Sequence, residues 1–397
     1  MRRFIAPLGL LALVGAGAGV WWLMRHDLRL AVYAAAALLG LVLVSAVVAF
    51  LRGHRAWSLG LLGLLVAVGA LGAGYGWNLN AKIDQIPRID DSVIGKGPRP
   101  PKQNTKALNI LLLGADDPKP DPAKPTVAEL LADGTWDPGA YRSDSMMVLH
   151  ISADRRTASV VSIPRDSYVP IYDGEGSVRS ENKINAAFSY YGPFGTWRTV
   201  ENLIGLRIDH LAMIDFEGFR ELTTALGGVD VYVPSTVSDS KRKRVWEQGW
   251  HHIEGQEALD YVRMRYGLTN GDFDRVRRQQ NFLRAVLTKL VDDGTIGDPL
   301  KVQATVESIV PYLTVDSSWT TSDIRSLTLG LRNLRPAHIS YATLPLARYE
   351  SIPNVGDANI IDEARARELW QAVADESVDD YLRRYPEDSL GSPEKVS

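Results

Sequence analysis

The sequence predicts a membrane-anchored α/β protein, with three transmembrane helices followed by one large domain that carries helices on both faces of a central sheet. Three observations lead there. Long uncharged apolar runs fill the first 80 residues, strand-like and helix-like patterns interleave over residues 107–376, and the two parts differ in charge.

The runs are Phe4–Trp22, Leu30–Leu51 and Trp57–Trp77. Each matches the roughly 20 residues a helix needs to cross a hydrocarbon core. Trp21, Trp22, Phe50, Trp57, Tyr75 and Trp77 sit near their ends, as an interfacial aromatic belt requires. Gly15 and Gly19, like Gly72 and Gly76, are spaced to let helices approach closely. Arg2, Arg3, Arg52 and Arg55 fall on one side of these runs, and Arg25 and Arg29, offset by Asp27, on the other. The positive-inside rule then gives a cytoplasmic N-terminus and an external domain after Trp77. A cleaved signal peptide is the alternative for the first run, and it leaves the domain on the same side.

Of 44 Lys+Arg and 47 Asp+Glu, residues 1–80 hold six and one, leaving 38 basic and 46 acidic residues beyond. A net-acidic external part argues against nucleic acid as a partner. With no cysteine there is no disulfide framework, thiolate metal site or Cys nucleophile.

Residues 81–106, rich in Pro, Gly and charge, read as a linker. Apolar β-branched runs predict strands at Leu108–Leu113, Met146–Ile151, Ala158–Ile163, Leu211–Phe216, Val229–Val233 and His338–Leu344. Periodicity predicts helices at Trp197–Ile204, Gly218–Leu226, Gln256–Tyr261, Phe273–Val291, Val302–Leu313, Ser322–Leu334 and Glu363–Val373. Residues 377–397 read as a loose tail. Such interleaving places the helices on both faces of one sheet.

The common catalytic signatures G-x-S-x-G, G-x-x-x-x-G-K-[ST], H-E-x-x-H and G-x-G-x-x-G are absent. His251 and His252 have no third ligand nearby, and the basic run Lys241–Arg244 reads first as a solvated loop. Charge at strand ends is more informative. Asp116 follows the strand LNILLLG, with Asp117 beside it, and Asp144 precedes SMMVLHI. Carboxylates there either cap turns or hold a hard divalent cation together with phosphate. Arg142, Arg165, Lys183, Asn185, Arg263 and Arg265 form a basic and polar collection; in an extended YVRMR the last two arginines would point the same way. Arg275, Arg278 and Gln279 share one face of a predicted helix. Arginine matches phosphate oxygens through its planar fork, so each is either a surface ion-pair partner or part of a phosphoryl site.

LNILLLGAD, YRSDSMM, VVSIPRDSYV, KINAAF, IDHLAMIDFEGF, ALGGVDVYVP, IEGQEALDYVRMR and GDFDRVRRQQNFL, in this order over residues 107–285, resemble the LytR-CpsA-Psr family. The resemblance implies an α/β/α sandwich with a central mixed sheet and a long apolar pocket. It also implies a phosphotransferase that moves a polyprenyl-pyrophosphate-linked glycopolymer from its membrane lipid onto peptidoglycan and releases polyprenyl phosphate. By motif, Asp116 and Asp144 match the ligands of magnesium (or manganese in its place). Arg142, Arg165, Arg263, Arg265 and Arg275 match the pyrophosphate-binding arginines, with Asp272 and Gln279 at site positions. Lys183 and Asn185 match a further site motif, and Arg278 is added as a substrate-binding candidate from its helical spacing. Phe282, Leu283 and Val286 are expected to line the lipid pocket. Three spans depart from the family's usual single one, and 27 residues separate Asp116 from Asp144, so Asp117 stays open as an alternative ligand. The rival functions are hydrolysis of a polyprenyl pyrophosphate and a non-enzymatic regulatory or lipid-binding role.

Overall fold

The computed structural model describes residues 28–116, 127–268, 272–292, 303–307, 310, 313–331 and 334–396. The chain divides into two compact units, residues 1–84 with 294–306, and residues 85–293 with 307–397.

In the first unit, α1 (Leu28–Leu51) and α2 (Arg55–Ile83) pack along each other. The reversal between them contains Gly53 at φ +79°, a conformation that favours a residue without Cβ. Among the described residues one helix is long and apolar enough to cross a membrane, through Tyr33–Leu51 with mean hydropathy 2.7. The expected third run is helical within α2, and the expected first run lies outside the described residues.

The second unit is built on a seven-stranded mixed sheet. Its elements in chain order are β1 (Arg88–Ile89), β2 (Leu108–Asp116), α3 (Val127–Ala132), β3 (Arg142–Ile151), β4 (Ala158–Ser162), β5 (Tyr168–Tyr172), β6 (Val178–Lys183) and α4 (Asn185–Ile204). There follow β7 (His210–Ile214), α5 (Phe216–Ala225), β8 (Val229–Val233), β9 (Val237–Asp239), β10 (Arg244–Trp246), β11 (Gly249–Ile253), α6 (Gly255–Arg263) and α7 (Asp272–Asp292). The chain ends in β12 (Leu313–Asp316), α8 (Thr321–Gly330), β13 (Ile339–Thr343), β14 (Leu346–Ile352), β15 (Gly356–Ile361), α9 (Glu363–Ala374) and α10 (Val378–Arg384). The sheet order is β1-β12-β7-β2-β3-β4-β13. β2 runs parallel to β7, as β4 does to β13, whereas β3 is antiparallel to both of its neighbours. The carboxyl ends of β2, β4, β7 and β13 therefore share one edge with the start of β3.

Period-two alternation splits the sheet into two faces. Leu111, Leu113, Met146, Val148, Leu211 and Met213 pack against α4, α9 and α10 in one solid core. Leu112, Met147, Ala212 and Ile214 line a cavity of about 260 Å³ on the opposite side. Behind that cavity, α5, α6 and α7 pack on the β8–β11 hairpin in a second core. The result is the three-layer sandwich the sequence implied.

Several local expectations need correction. The stretch read as a linker contributes β1, which pairs with β12, and buries Ile86, Ile89 and Ile94; its Arg99 is bidentate to the buried Glu201. Of the described residues in Val302–Leu313, 303–307 are helical and Leu313 begins β12. The residues read as a tail form α10 and bury Tyr381, Leu390 and Val396, with the Tyr381 hydroxyl 2.5 Å from Asp388. Helix α4 starts at Asn185, well before the expected Trp197, and breaks at Gly192 (φ 66°) before Pro193.

Tyr381→Ala should lower unfolding stability by about 3–5 kcal/mol, the usual cost of truncating a buried aromatic side chain. Denaturant unfolding followed by tryptophan fluorescence measures it; a change of about 0.5 kcal/mol or less would fit a loose tail instead.

Candidate functional site

The site lies at the shared edge of strand ends, the region where open α/β sheets bind ligands. Asp144, two residues into β3, is its centre. It is 16% exposed, and three arginines from separate segments converge on it. Arg165, in the loop after β4, bonds Asp144 Oδ1 directly. Arg265, just past α6, places Nη2 3.5 Å from the same oxygen, and Arg275, in the first turn of α7, places Nη1 3.9 Å from Oδ2.

Burial pushes the Asp144 carboxyl up, but the charges of Arg275, Arg165 and Arg265, with the Arg165 hydrogen bond, outweigh it and leave its pKa below the usual carboxylate value. Three guanidinium groups gathered at one carboxylate offer planar donor forks of the kind that bind a multiply charged oxyanion. Arg275 is 1% exposed, so α7 has carried a charge into the interior.

The loop bearing Arg165 is tied down on two sides. Asn185 N–H, at the start of α4, donates to Arg165 O at 3.1 Å, and Asn359 N–H of β15 donates to Asp166 O at 2.9 Å. Asp166 lies 3.7 Å from Arg165 Nε and 3.8 Å from Lys183 Nζ.

Asp144 also lines the apolar cavity, so charge and cavity meet at one residue. Arg263 and Gln279 stand on the same wall. The Arg263 guanidinium sits 4.1 Å from the Phe216 ring centroid, and Gln279 Nε2 is 3.4 Å from Val262 O. Phe282, Leu283 and Val286 of α7 line the cavity as expected, facing Leu112, Met147 and Ile214 of the sheet.

Not every expected residue joins this group. Arg263 ends α6, so YVRMR is not extended; the helix end turns Arg263 to the cavity, Met264 is buried, and Arg265 reaches Asp144 from beyond. Arg278 points inward, 4.9 Å from the Tyr261 ring centroid and 3.2 Å from Met264 Sδ. It lies on the flank of α7 that faces the second core, three residues on from Arg275. Arg142 is exposed at the start of β3, in register with Asp116 at the end of β2, and among the described residues it makes no ion pair with Asp144. Asp272 opens α7. Asp117 and Asp121 lie outside the described residues. Arg242 and Arg244 of the basic run bond Asp239, Asp260 and Glu257, so these two are engaged in the fold.

Asp215 was missed by sequence reading. It caps α5 by accepting from Gly218 N–H at 2.8 Å and lines the cavity, where burial raises its pKa against the pull of that bond and of Arg220. The signal was an Asp directly before a helical pattern.

For a divalent cation the donor chemistry fits. Asp116 ends β2 in register with Arg142, two residues before Asp144, and the Asp144 carboxylate, held ionised, is a hard oxygen ligand with lone pairs beyond those its arginines use.

Residues 80–375 match the model of the LytR_cpsA_psr family. The chain is 26% identical over 329 residues to the cell wall biosynthesis protein LcpA of Corynebacterium glutamicum, an alignment covering 77% of this chain and 63% of LcpA. It is 39% identical over 161 residues to TagV of Bacillus subtilis, named a polyisoprenyl-teichoic acid–peptidoglycan teichoic acid transferase, covering 39% of this chain and 40% of that one. The crystal structure of B. subtilis TagV superposes with a TM-score of 0.55 at 26% identity, covering 70% of this chain and 99% of that one.

Because the folded pKa of Asp144 is depressed, its ion pairs stabilise the fold fully above the unfolded value of about 3.9 and are lost as pH falls through the lower folded value. Asp144→Asn should therefore flatten the acid limb of the stability–pH curve below about pH 4 and leave its shape unchanged between about pH 6 and 8. Thermal unfolding across pH checks this; an unaltered acid limb would contradict the arginine-held carboxylate.

Proposed function

We propose, from the premise that the chain belongs to the LytR-CpsA-Psr family, that it transfers a polyprenyl-pyrophosphate-linked glycopolymer onto peptidoglycan. The observation that carries this reading is the junction at Asp144, where an apolar cavity adjoins a cluster of arginines. An amphiphile with an isoprenoid tail and a pyrophosphate head matches that junction in shape and in charge. The names borne by LcpA and TagV support the same class of substrate.

The tail lies between the sheet and α5–α7, in contact with Phe282, Leu283 and Val286. The pyrophosphate meets Arg165, Arg265 and Arg275, with Arg263 and Gln279 at the cavity wall, and Arg142, Lys183 and Asn185 around the rim. A peptidoglycan hydroxyl attacks the phosphorus next to the glycopolymer. The new P–O bond forms as the bond to the bridging oxygen breaks, and polyprenyl phosphate leaves. The arginines bind the non-bridging oxygens and stabilise the charge that develops there and on the leaving group. The hydroxyl proton passes to Asp166, which lies between Arg165 and Lys183, or to Asp272 as the alternative acceptor. Asp116 and Asp144 would hold magnesium or manganese, which supplies further neutralisation of phosphate charge.

The anchor fits this substrate. Spans at residues 4–22, 30–51 and 57–77, with the N-terminus in the cytoplasm, would hold the second unit outside the membrane, where lipid carrier and cell wall meet. The distribution of arginines supports that orientation.

Arg275→Ala should reduce transfer by about 10²–10³-fold, the loss typical of one oxyanion donor, and Arg275→Lys should recover little because an ammonium lacks the planar fork. The assay follows polymer joined to peptidoglycan in membranes, with polyprenyl phosphate release measured with and without acceptor. Release that ignores the acceptor would favour the hydrolase; normal transfer by the alanine variant would overturn the mechanism. Leu283→Trp, which fills the cavity, should raise KM for a long-chain donor about tenfold or more and affect a short-chain one less. Equal effects on both would contradict a tail seated there.

A further inference from the structure

The arginines adjoin a second opening, on the side of Asp166 away from the apolar cavity's lining. This cleft, about 330 Å³, shares no lining residue with the apolar cavity. Asp166, next to Arg165, and Val276, next to Arg275, form its inner end. Its outer wall is the β14–β15 hairpin. Tyr349 and Asn359 are cross-strand partners, and Asp357 lies two residues before Asn359, so all three project from one face. The same hairpin is bonded to the Arg165 loop through Asn359 N–H and Asp166 O, which fixes the cleft relative to the cluster.

The composition of the cleft is selective. Tyr349 is 65% exposed, and its ring is held edge-on by Phe273, centroids 5.7 Å apart at 71°. Asn359 is 5% exposed, lines the cleft, and has no hydrogen bond to its side-chain amide among the described residues. Asp357 is exposed and makes no ion pair among the described residues. A fixed aromatic face, carboxylates and an open amide suit a ring with an apolar C–H face and an edge of hydroxyl or acetamido groups. The carboxylates accept from hydroxyls, and the amide both donates and accepts. Asp166 and Asp357 disfavour a second phosphate there, while Pro164, Phe273, Val276 and Tyr349 supply the apolar surface on which the C–H face of a ring can lie.

We propose that this cleft is a pyranose subsite that seats the sugar nearest the reacting phosphorus. The assignment of that phosphorus rests on the function proposed above. The sugar comes either from the donor glycopolymer or from the peptidoglycan acceptor, and the two sources share this chemistry.

The test uses the full chain in detergent, its Tyr349→Ala and Asp357→Asn variants, and three probes. These are free N,N′-diacetylchitobiose, farnesyl pyrophosphate, and farnesyl pyrophosphate esterified with N-acetylglucosamine. The parent should bind the disaccharide by saturation-transfer NMR, and Tyr349→Ala should weaken it about tenfold, a loss expected of a seated aromatic contact. Farnesyl pyrophosphate should bind parent and variants alike. If the sugar is the donor's, the variants also lose affinity for the sugar-bearing lipid. If it is the acceptor's, they show a raised KM for a soluble peptidoglycan fragment at unchanged donor affinity. No disaccharide binding by the parent, or equal binding by all three proteins, overturns the subsite. Failure of the parent to bind farnesyl pyrophosphate counts against the proposed function instead, and the disaccharide arm still decides the cleft.

Discussion

Asp144 is held by arginines from a strand-to-hairpin loop, from two residues past α6 and from the first turn of α7. Like charges this close repel, and Asp144, with Asp166 beside Arg165, offsets part of that repulsion. Their positions are therefore imposed by the scaffold. The loop of Arg165 is pinned by α4 and β15, while α6 and α7 are locked by a core of their own. The sheet edge supplies the common point, because β3 runs against β2 and β4 and begins where those strands end. Guanidinium groups held at such a place are preorganised for an anion and need little rearrangement when one arrives.

The two faces of the sheet divide the remaining work. One packs against α4, α9 and α10 in the larger of the unit's two cores. The other holds α5–α7 away from the strands across the cavity. A void of this size, if closed and dry, would cost on the order of several kcal/mol at the ~24 cal/mol per Å³ seen for engineered core cavities. A chain that keeps it gains only if something apolar fills it. The placement of Arg263, its guanidinium against Phe216 at the wall, marks the transition from apolar to charged surroundings.

Much of this was legible in sequence where burial imposes a period. The strand Leu108–Leu113, the strand Met146–Ile151 and the helix Phe273–Val291 all announce themselves through alternation or 3.6-residue spacing, and each appears within a residue or a few of its expected bounds. Elements whose packing depends on a few isolated residues were not legible. β1 rests on Ile86, Ile89 and Ile94 scattered through a Pro- and Gly-rich stretch, and α10 is seated by Tyr381 in a charged segment. β6 and β14 are exposed along most of their length, so burial imposes no two-residue period on them. Gly192 and Pro193 hid the first half of α4. In the site, motif order correctly grouped Arg165, Arg265 and Arg275, whereas helical spacing alone could not tell that Arg278 turns to Tyr261.

The claim underlying the functional reading is that cluster and cavity are two ends of one ligand site. A crystal structure of the protein with a short-chain polyprenyl pyrophosphate tests it most directly. The prenyl chain should lie between the sheet and α7 against Phe282 and Val286, with its pyrophosphate bonded to Arg165, Arg265 and Arg275. A chain lying in solvent with the cavity closed, or a pyrophosphate bound away from Asp144, would contradict the account.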